Sequence, residues 1–153
     1  MTGADEEEQV ASGIIDRARY MTLATADAEG RPWASPVWFA PDGYRELLWV
    51  SAPAARHSLN IAARPEVSIV IFDSGAAPAQ AAGVYLDCSA EQVTDDGALA
   101  HAMAVYSRRS VDQDLSAWSV EDVSAPEDRR LYRARVSEAW LGRDDERIPL
   151  DVS

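Results

Sequence analysis

The residues from Thr22 to Asn60, TLATADAEGRPWASPVWFAPDGYRELLWVSAPAARHSLN, carry the clearest pattern of apolar and polar positions in the chain. Short runs rich in β-branched and aromatic residues are separated by Glu29-Gly30 and Asp42-Gly43. Glycine takes a positive φ at no steric cost, so both breaks predict hairpin turns. In the second run Trp33, Ser35, Val37 and Phe39 share one strand face, and Ala34, Pro36 and Trp38 share the other. In the third, Leu47, Trp49 and Ser51 alternate with Leu48 and Val50. The pattern predicts a three-stranded meander. Its last strand ends on a hydroxyl and leads into a helix carrying Arg56 and His57.

The flanking segments read as follows. Asp5 to Ala18 predicts an amphipathic helix, with Val10, Ile14 and Ala18 on one face and Asp5 to Glu8 at the favourable end of the dipole. Pro53 opens a second helix with Leu59 and Ile61 as its apolar contacts, and Arg64-Pro65 closes it. Val67 to Asp73, VSIVIFD, is almost continuously apolar and predicts a strand buried on both faces. Ser74 to Gly83 reads as a loop, and Val84 to Val93 as a long alternating strand. Asp95 to Ser107 predicts a third helix with Leu99, Met103 and Tyr106 on one side. Arg108 to Asp128 is polar and predicts no element. Leu131 to Leu141 predicts a strand with Tyr132, Ala134 and Val136 facing one way and Arg133 and Arg135 the other. Residues 143–153 read as a C-terminal tail. About six short strands with helices between them predict a mainly β domain, an antiparallel barrel decorated by helices.

The length of 153 residues suits one domain, residues 1–153, with a real core. The formal net charge of -12 argues against nucleic acid and anionic membranes as partners, since both select for basic surfaces. A local basic pocket remains compatible with it. Every Lys/Arg-type cation is arginine, as GC-rich coding produces. No apolar run approaches the roughly 20 residues of a membrane span. The start, MTGADEEEQV, lacks the features of a signal peptide. Cys88 is the lone cysteine, so no intrachain disulfide forms, and a cytoplasmic location is expected. Its neighbours Val84, Leu86 and Ala90 place it at a buried strand position rather than in a catalytic role.

Several chemistries lack their motifs. His57 and His101 are far apart, no Cys/His cluster has metal spacing, and no metal is expected. The chain has no P-loop, no GxGxxG and no GxSxG. Carboxylates are abundant, but nothing singles out a pair. The stretch from Ser51 to Asn60 is more informative. A helix start offers free N–H groups and a partial positive charge, which together bind phosphate. A cation there is unfavourable alone, so Arg56 and His57 near Pro53 fit a bound anion. Ser51 adds a hydroxyl, and arginine a fork matched to phosphate oxygens. A surface arginine paired with an acid, beside a polar histidine, accounts for the same residues. Spacing alone leaves both readings open.

Four segments, in order, resemble the FMN-binding split β-barrel family related to pyridoxamine 5′-phosphate oxidase. They are TLATADAEGRPWASPVWF, WVSAPAARHSLNIAARPEVSIVIFDS, GVYLDCSAEQV and RRLYRARVSEAWL, and they cover most of residues 20 to 142. The resemblance implies a split β-barrel of the FMN-binding-protein type. It implies a homodimer with cofactor sites at the interface, and FMN-dependent redox chemistry on a small-molecule substrate. Ser35, Pro36, Val37 and Trp38 would border the flavin ring, partly through backbone groups. Val50 and Ser51 would lie near the ribityl-phosphate. Arg56 and His57 would hold the phosphate; the second position is commonly lysine in the family. Asn60 matches a recurrent helix position, more structural than ligating. Gln80 would reach the cofactor from the partner subunit. Trp140 would approach the same site or serve as a core or dimer aromatic. The side chains of Trp33, Trp38 and Trp49 are expected in the core. No side chain is assigned an acid or base role.

The family's oxidases carry an Arg-x-His substrate motif near the C-terminus. Here the segment reads GRDDERIPLDVS, without that histidine, so oxidation of pyridoxamine phosphate is not expected. The same fold accommodates a deazaflavin coenzyme, whose acidic tail would favour further basic residues around the groove. A non-enzymatic flavin carrier or sensor, and a barrel without a ligand, are the readings from other classes.

Overall fold

A computed structural model describes residues 3–152. Met1, Thr2 and Ser153, which belong to the expected domain, the N-terminal segment 1–18 and the tail, lie outside the described residues. Helix α1 spans Gly3–Arg17, followed by strands β1 (Tyr20–Ala26), β2 (Pro32–Trp38), β3 (Ala40–Asp42) and β4 (Glu46–Ser51). Helix α2 (Arg56–Ala63) leads to β5 (Glu66–Phe72) and β6 (Ala82–Gln92). Helix α3 (Asp96–Asp112) precedes the long β7 (Arg130–Arg143) and β8 (Glu146–Leu150).

The strands form one antiparallel sheet in the order β2-β1-β5-β6-β7-β4-β3, with β8 paired to β7. Consecutive strands β2 and β3 therefore lie at opposite ends of the sheet, yet only Phe39 joins them. One residue spans about 3.5 Å, so the two edges must meet. The sheet curls into a split barrel, with no pairing between β2 and β3. The expected meander is thus corrected: β2 pairs with β1, and β3 pairs with β4 as a separate hairpin. Pro32 and Pro36 give the physical reason. Proline has no N–H for a ladder, so β2 belongs at an edge rather than between two strands.

The inner faces follow the two-residue period. Met21 and Leu23, Val67, Ile69 and Ile71, Val84, Leu86 and Cys88, and Leu47 and Trp49 fill the barrel. Ala11, Ile14 and Ile15 of α1 plug it, and the flanking Val10 and Ala18 are only half-buried. A second core lies between β4, β7 and α3, built from Leu48, Leu131, Met103, Tyr106 and Val123. Strand β4 is therefore buried on both faces, whereas β5 is not. Val67, Ile69 and Ile71 are buried, but Phe72 is 52% exposed. The expectation of a strand buried on both sides fails because a single chain offers nothing to cover the outer face.

Four other elements depart from expectation. Helix α3 runs on to Asp112, because Met103, Tyr106 and Ser110 continue one buried stripe. Within 108–128 a short 3-10 helix also forms at Val120–Val123, with Val123 buried. The tail is a strand. Asp144 and Asp145 both take positive φ, the two-residue turn that matches strand twist, and β8 folds back on β7. Finally, β7 has a bulge. Asp87 pairs with Glu138 and Cys88 with Val136, leaving Ser137 as the extra residue. A one-residue insertion swaps the faces of all that follows. Tyr132 and Ala134 point inward before it, Ala139 and Leu141 after it, so Trp140 faces outward.

Phe39 is fully buried at the closure. Phe39→Ala should lower unfolding free energy by about 3–5 kcal/mol, the usual range for a buried phenylalanine. Urea unfolding followed by circular dichroism checks this. A loss below about 1 kcal/mol would show that the closure rests elsewhere.

Candidate functional site

Helix α2 begins later than Pro53. The Ala55 N–H donates to the Ala52 carbonyl at 3.0 Å, so Ala52 to Ala55 form a turn with proline at its favoured second position. Ala55 is extended and no side chain caps the helix. Arg56 and His57 are consequently the first two helical residues, and the N–H groups of this first turn have no side-chain acceptor. At the other end Arg64 is extended, as a residue before proline prefers, and its N–H donates to the Asn60 carbonyl at 2.7 Å.

Three contacts fix this helix. Ser51 Oγ, at the end of β4, lies 2.8 Å from His57 Nε2. Asn60 Nδ2 donates to Thr25 Oγ1 on β1 at 3.0 Å, and both side chains are buried. The Arg56 guanidinium lies over the Trp33 ring on β2, 4.2 Å from its centroid. Arg56 is exposed, and no acid among the described residues forms an ion pair with it. Elsewhere arginines do find acids: Arg31 pairs with Asp27, Arg133 with Glu91 and Arg135 with Glu46. Burial pushes the His57 imidazole below its ordinary value, so the ring is mostly neutral near pH 7.

The other expected site residues are spread over both faces. Ser35 and Val37 point into the barrel, and Pro36 is exposed on the outer face. Trp38 is half-buried, donates to Gln113 Oε1 at 2.9 Å, and meets Tyr106 edge-on at 5.0 Å. Val50 packs against the second core. Trp49 is fully buried and stacks on Tyr132. Trp33 does not join the core. It sits where the barrel ends and is 41% exposed.

Gln80 and Trp140 are not brought to α2 within one chain. Thr25 and Trp33 lie at the α2 end of the β1–β2 hairpin, whereas Phe72 lies toward the Tyr20 end. Gln80 is exposed on the short 3-10 helix that follows β5, at that far end. Leu131 pairs with Val50 beside the site, and Trp140 lies further along β7, roughly 25 Å away at strand spacing. Trp140 instead belongs to an outer row. Pro36, Thr22, Val70, Tyr85, Trp140 and Pro149 are successive registered neighbours across six strands. Exposed Tyr20 and Phe72 lie at the next inward-to-outward step on the same side. Two features escaped the sequence reading. The Trp33–Arg56 stack joins residues on separate elements, and Thr25 looked like an ordinary strand threonine. Among the described residues no cluster of His, Cys, Asp or Glu is placed to hold a metal.

A family model described as pyridoxamine 5′-phosphate oxidase matches residues 7–141. The heme storage protein HutZ from Vibrio cholerae is similar in structure, with a TM-score of 0.71 and 22% identity over 92% of this chain and 98% of that one. A heme binding protein from Mycobacterium smegmatis gives a TM-score of 0.74 and 24% identity, over 99% of this chain and 59% of that one. An F420 reductase gives 0.61 and 22%, over 84% and 94%. No curated protein matches the chain. At these identities the similar structures establish the fold.

The His57 environment has a consequence for stability. Burial lowers the folded-state value below the ordinary 6.5, so the folded chain holds this proton less tightly than the unfolded one. The contribution is full above about pH 6.5 and is lost as pH falls toward the lowered value. Between about pH 8 and pH 5, wild type should lose more stability than His57→Gln, which retains a polar side chain and does not titrate. Urea midpoints at the two pH values measure this. Equal losses would mean that His57 does not titrate with folding.

Proposed function

The chain belongs to the pyridoxamine 5′-phosphate oxidase family, and from that membership we propose that it is an FMN-dependent oxidoreductase acting on a small-molecule substrate. One observation carries the choice of cofactor. Arg56 stands at an uncapped helix start, free of any acid among the described residues, in a chain of net charge -12. That arrangement suits a phosphate, which the first-turn N–H groups, the helix dipole and the guanidinium fork would hold together. Ser51 and His57 border the same place through their mutual contact. With His57 mostly neutral, its part is a hydrogen bond more than a charge. In this reading Ser35 to Trp38 and Val50 flank the isoalloxazine, and Asn60 serves by docking α2 on β1. A bound flavin supplies hydride or electron transfer, and the protein binds, orients and shields it.

The same reading makes the molecule a homodimer. The outer row from Pro36 to Pro149, with Phe72 and Tyr20 exposed beside it, is an apolar face that a single chain leaves in water. Gln80 and Trp140 lie far from α2 in their own chain, so they reach a site only across a twofold axis. An isologous pairing of two such faces would cover the row and complete two sites.

A deazaflavin coenzyme is the second reading, favoured by the fold shared with the F420 reductase. Heme, which the names of two similar proteins mention, needs an axial donor. His57 commits Nε2 to Ser51, and His101 lies 2.9 Å from Asp42.

The test is a fluorescence titration of apoprotein with FMN and with riboflavin. Charge-assisted hydrogen bonds contribute on the order of 1.5–3 kcal/mol. Arg56→Ala should therefore weaken FMN binding roughly tenfold to a hundredfold. Riboflavin, without the phosphate, should be unaffected. Equal weakening of both would make Arg56 a fold residue, and no change in either would put the anion elsewhere.

A further inference from the structure

We propose that Trp33 is a positioning residue for the phosphate site: its indole face holds the Arg56 guanidinium ready at the start of α2. The inference rests on the phosphate reading above and adds a residue to it. Trp33 shares its strand face with Ser35, Val37 and Phe39, all of which are buried. Trp33 alone of these stays exposed, and Arg56 lies against it.

The kind of contact matters. A carboxylate partner would occupy the edge of the guanidinium, where its N–H donors lie. An aromatic ring takes the flat face and leaves that edge free. Trp33 thus restricts the arginine without competing with an incoming phosphate. An acid at the same place would cancel the charge and block the fork. The protein has 26 acidic residues, yet this arginine is given an indole instead.

The platform is also fixed to the helix it serves. Thr25 is registered opposite Trp33 and donates to its carbonyl at 3.5 Å. Asn60 of α2 donates to the same Thr25 oxygen at 3.0 Å. One chain of contacts therefore ties the Trp33 backbone to the middle of α2, while the Trp33 ring meets the first residue of α2. Strand and helix hold the arginine between them. Loss of the ring leaves Arg56 charged but free to rotate away.

The experiment is the titration with FMN and riboflavin in Trp33→Leu and Trp33→Phe, each in the wild-type and Arg56→Ala backgrounds. Circular dichroism verifies folding, and a half-exposed side chain makes both changes tolerable. Trp33→Leu should weaken FMN about two- to tenfold, the effect of having to order one unheld side chain on binding. It should leave riboflavin unchanged and have no further effect once Arg56 is alanine. Trp33→Phe, which keeps an aromatic face, should retain most of the FMN affinity. Equal weakening of riboflavin, or an undiminished effect in the Arg56→Ala background, would overturn the proposal, because Trp33 would then act on the flavin or the fold. No effect of Trp33→Leu, with Arg56→Ala still selective for FMN, would overturn the positioning role and leave the phosphate site standing. If Arg56→Ala itself leaves FMN unchanged, the underlying reading fails first.

Discussion

The one-residue link at Phe39 is the constraint on which the architecture depends. It joins the two edge strands of the sheet, and so demands that the sheet curl until those edges meet. The link is secured from three sides. The Phe39 ring is fully buried, its N–H donates to the Arg19 carbonyl at 3.4 Å, and Arg109 of α3 lies 5.5 Å above the ring. The same Arg109 donates to the Ile15 and Ala18 carbonyls at the end of α1. A cation is favourable at that end of a helix. One side chain thus joins α1, α3 and the closure. Burial lowers its pKa, but an arginine stays charged in any case. With the barrel closed here, the turn end of the β1–β2 hairpin is left for α2 to cross.

That crossing makes an electrostatically unusual helix start. A cation beside the positive end of a helix costs about 0.3–1 kcal/mol. An exposed cation–π contact returns about 0.5–1 kcal/mol. Without an anion the two roughly cancel, so Arg56 contributes little to the stability of the free chain. An anion changes the balance. The dipole, the free N–H groups and the guanidinium then all act with the same sign, at about 1.5–3 kcal/mol for each charge-assisted bond. The arrangement is close to neutral for folding and favourable for an anion, which fits the proposed phosphate site. His57 differs in kind. Burial keeps it neutral, and its contact with Ser51 orients a polar edge without adding a second full charge.

Much of the fold was legible because period and punctuation agree. The β1–β2 hairpin, the inward faces of β5 and β6, and the body of α3 follow from alternation and turn residues. What was not legible depended on contacts distant in sequence or on single-residue register. Ser137 looks like any strand residue, yet as a bulge it turns Trp140 outward. Pro53 suits the first turn of a helix or the second position of a β-turn equally, and the chain uses it for the turn. Asp144-Asp145 resembles an acidic tail until positive φ at both makes it a hairpin. In the site, Ser51, Arg56 and His57 were readable as one group because they are close in sequence. Arg56 and Trp33 were not, because their meeting requires β2 and α2 to be placed first. The apolar outer face of β5 was read as burial within the chain. In this structure it is uncovered, and a twofold partner is the proposed cover.

The proposed assembly is a dimer that carries FMN. Native mass spectrometry of the purified protein reads both properties at once, by the mass of the assembly and of whatever ligand it releases. The account predicts two chains with two FMN molecules, and release of FMN rather than riboflavin on denaturation. A stable monomer loaded with flavin would contradict the shared site, and a released heme would contradict the phosphate site at α2.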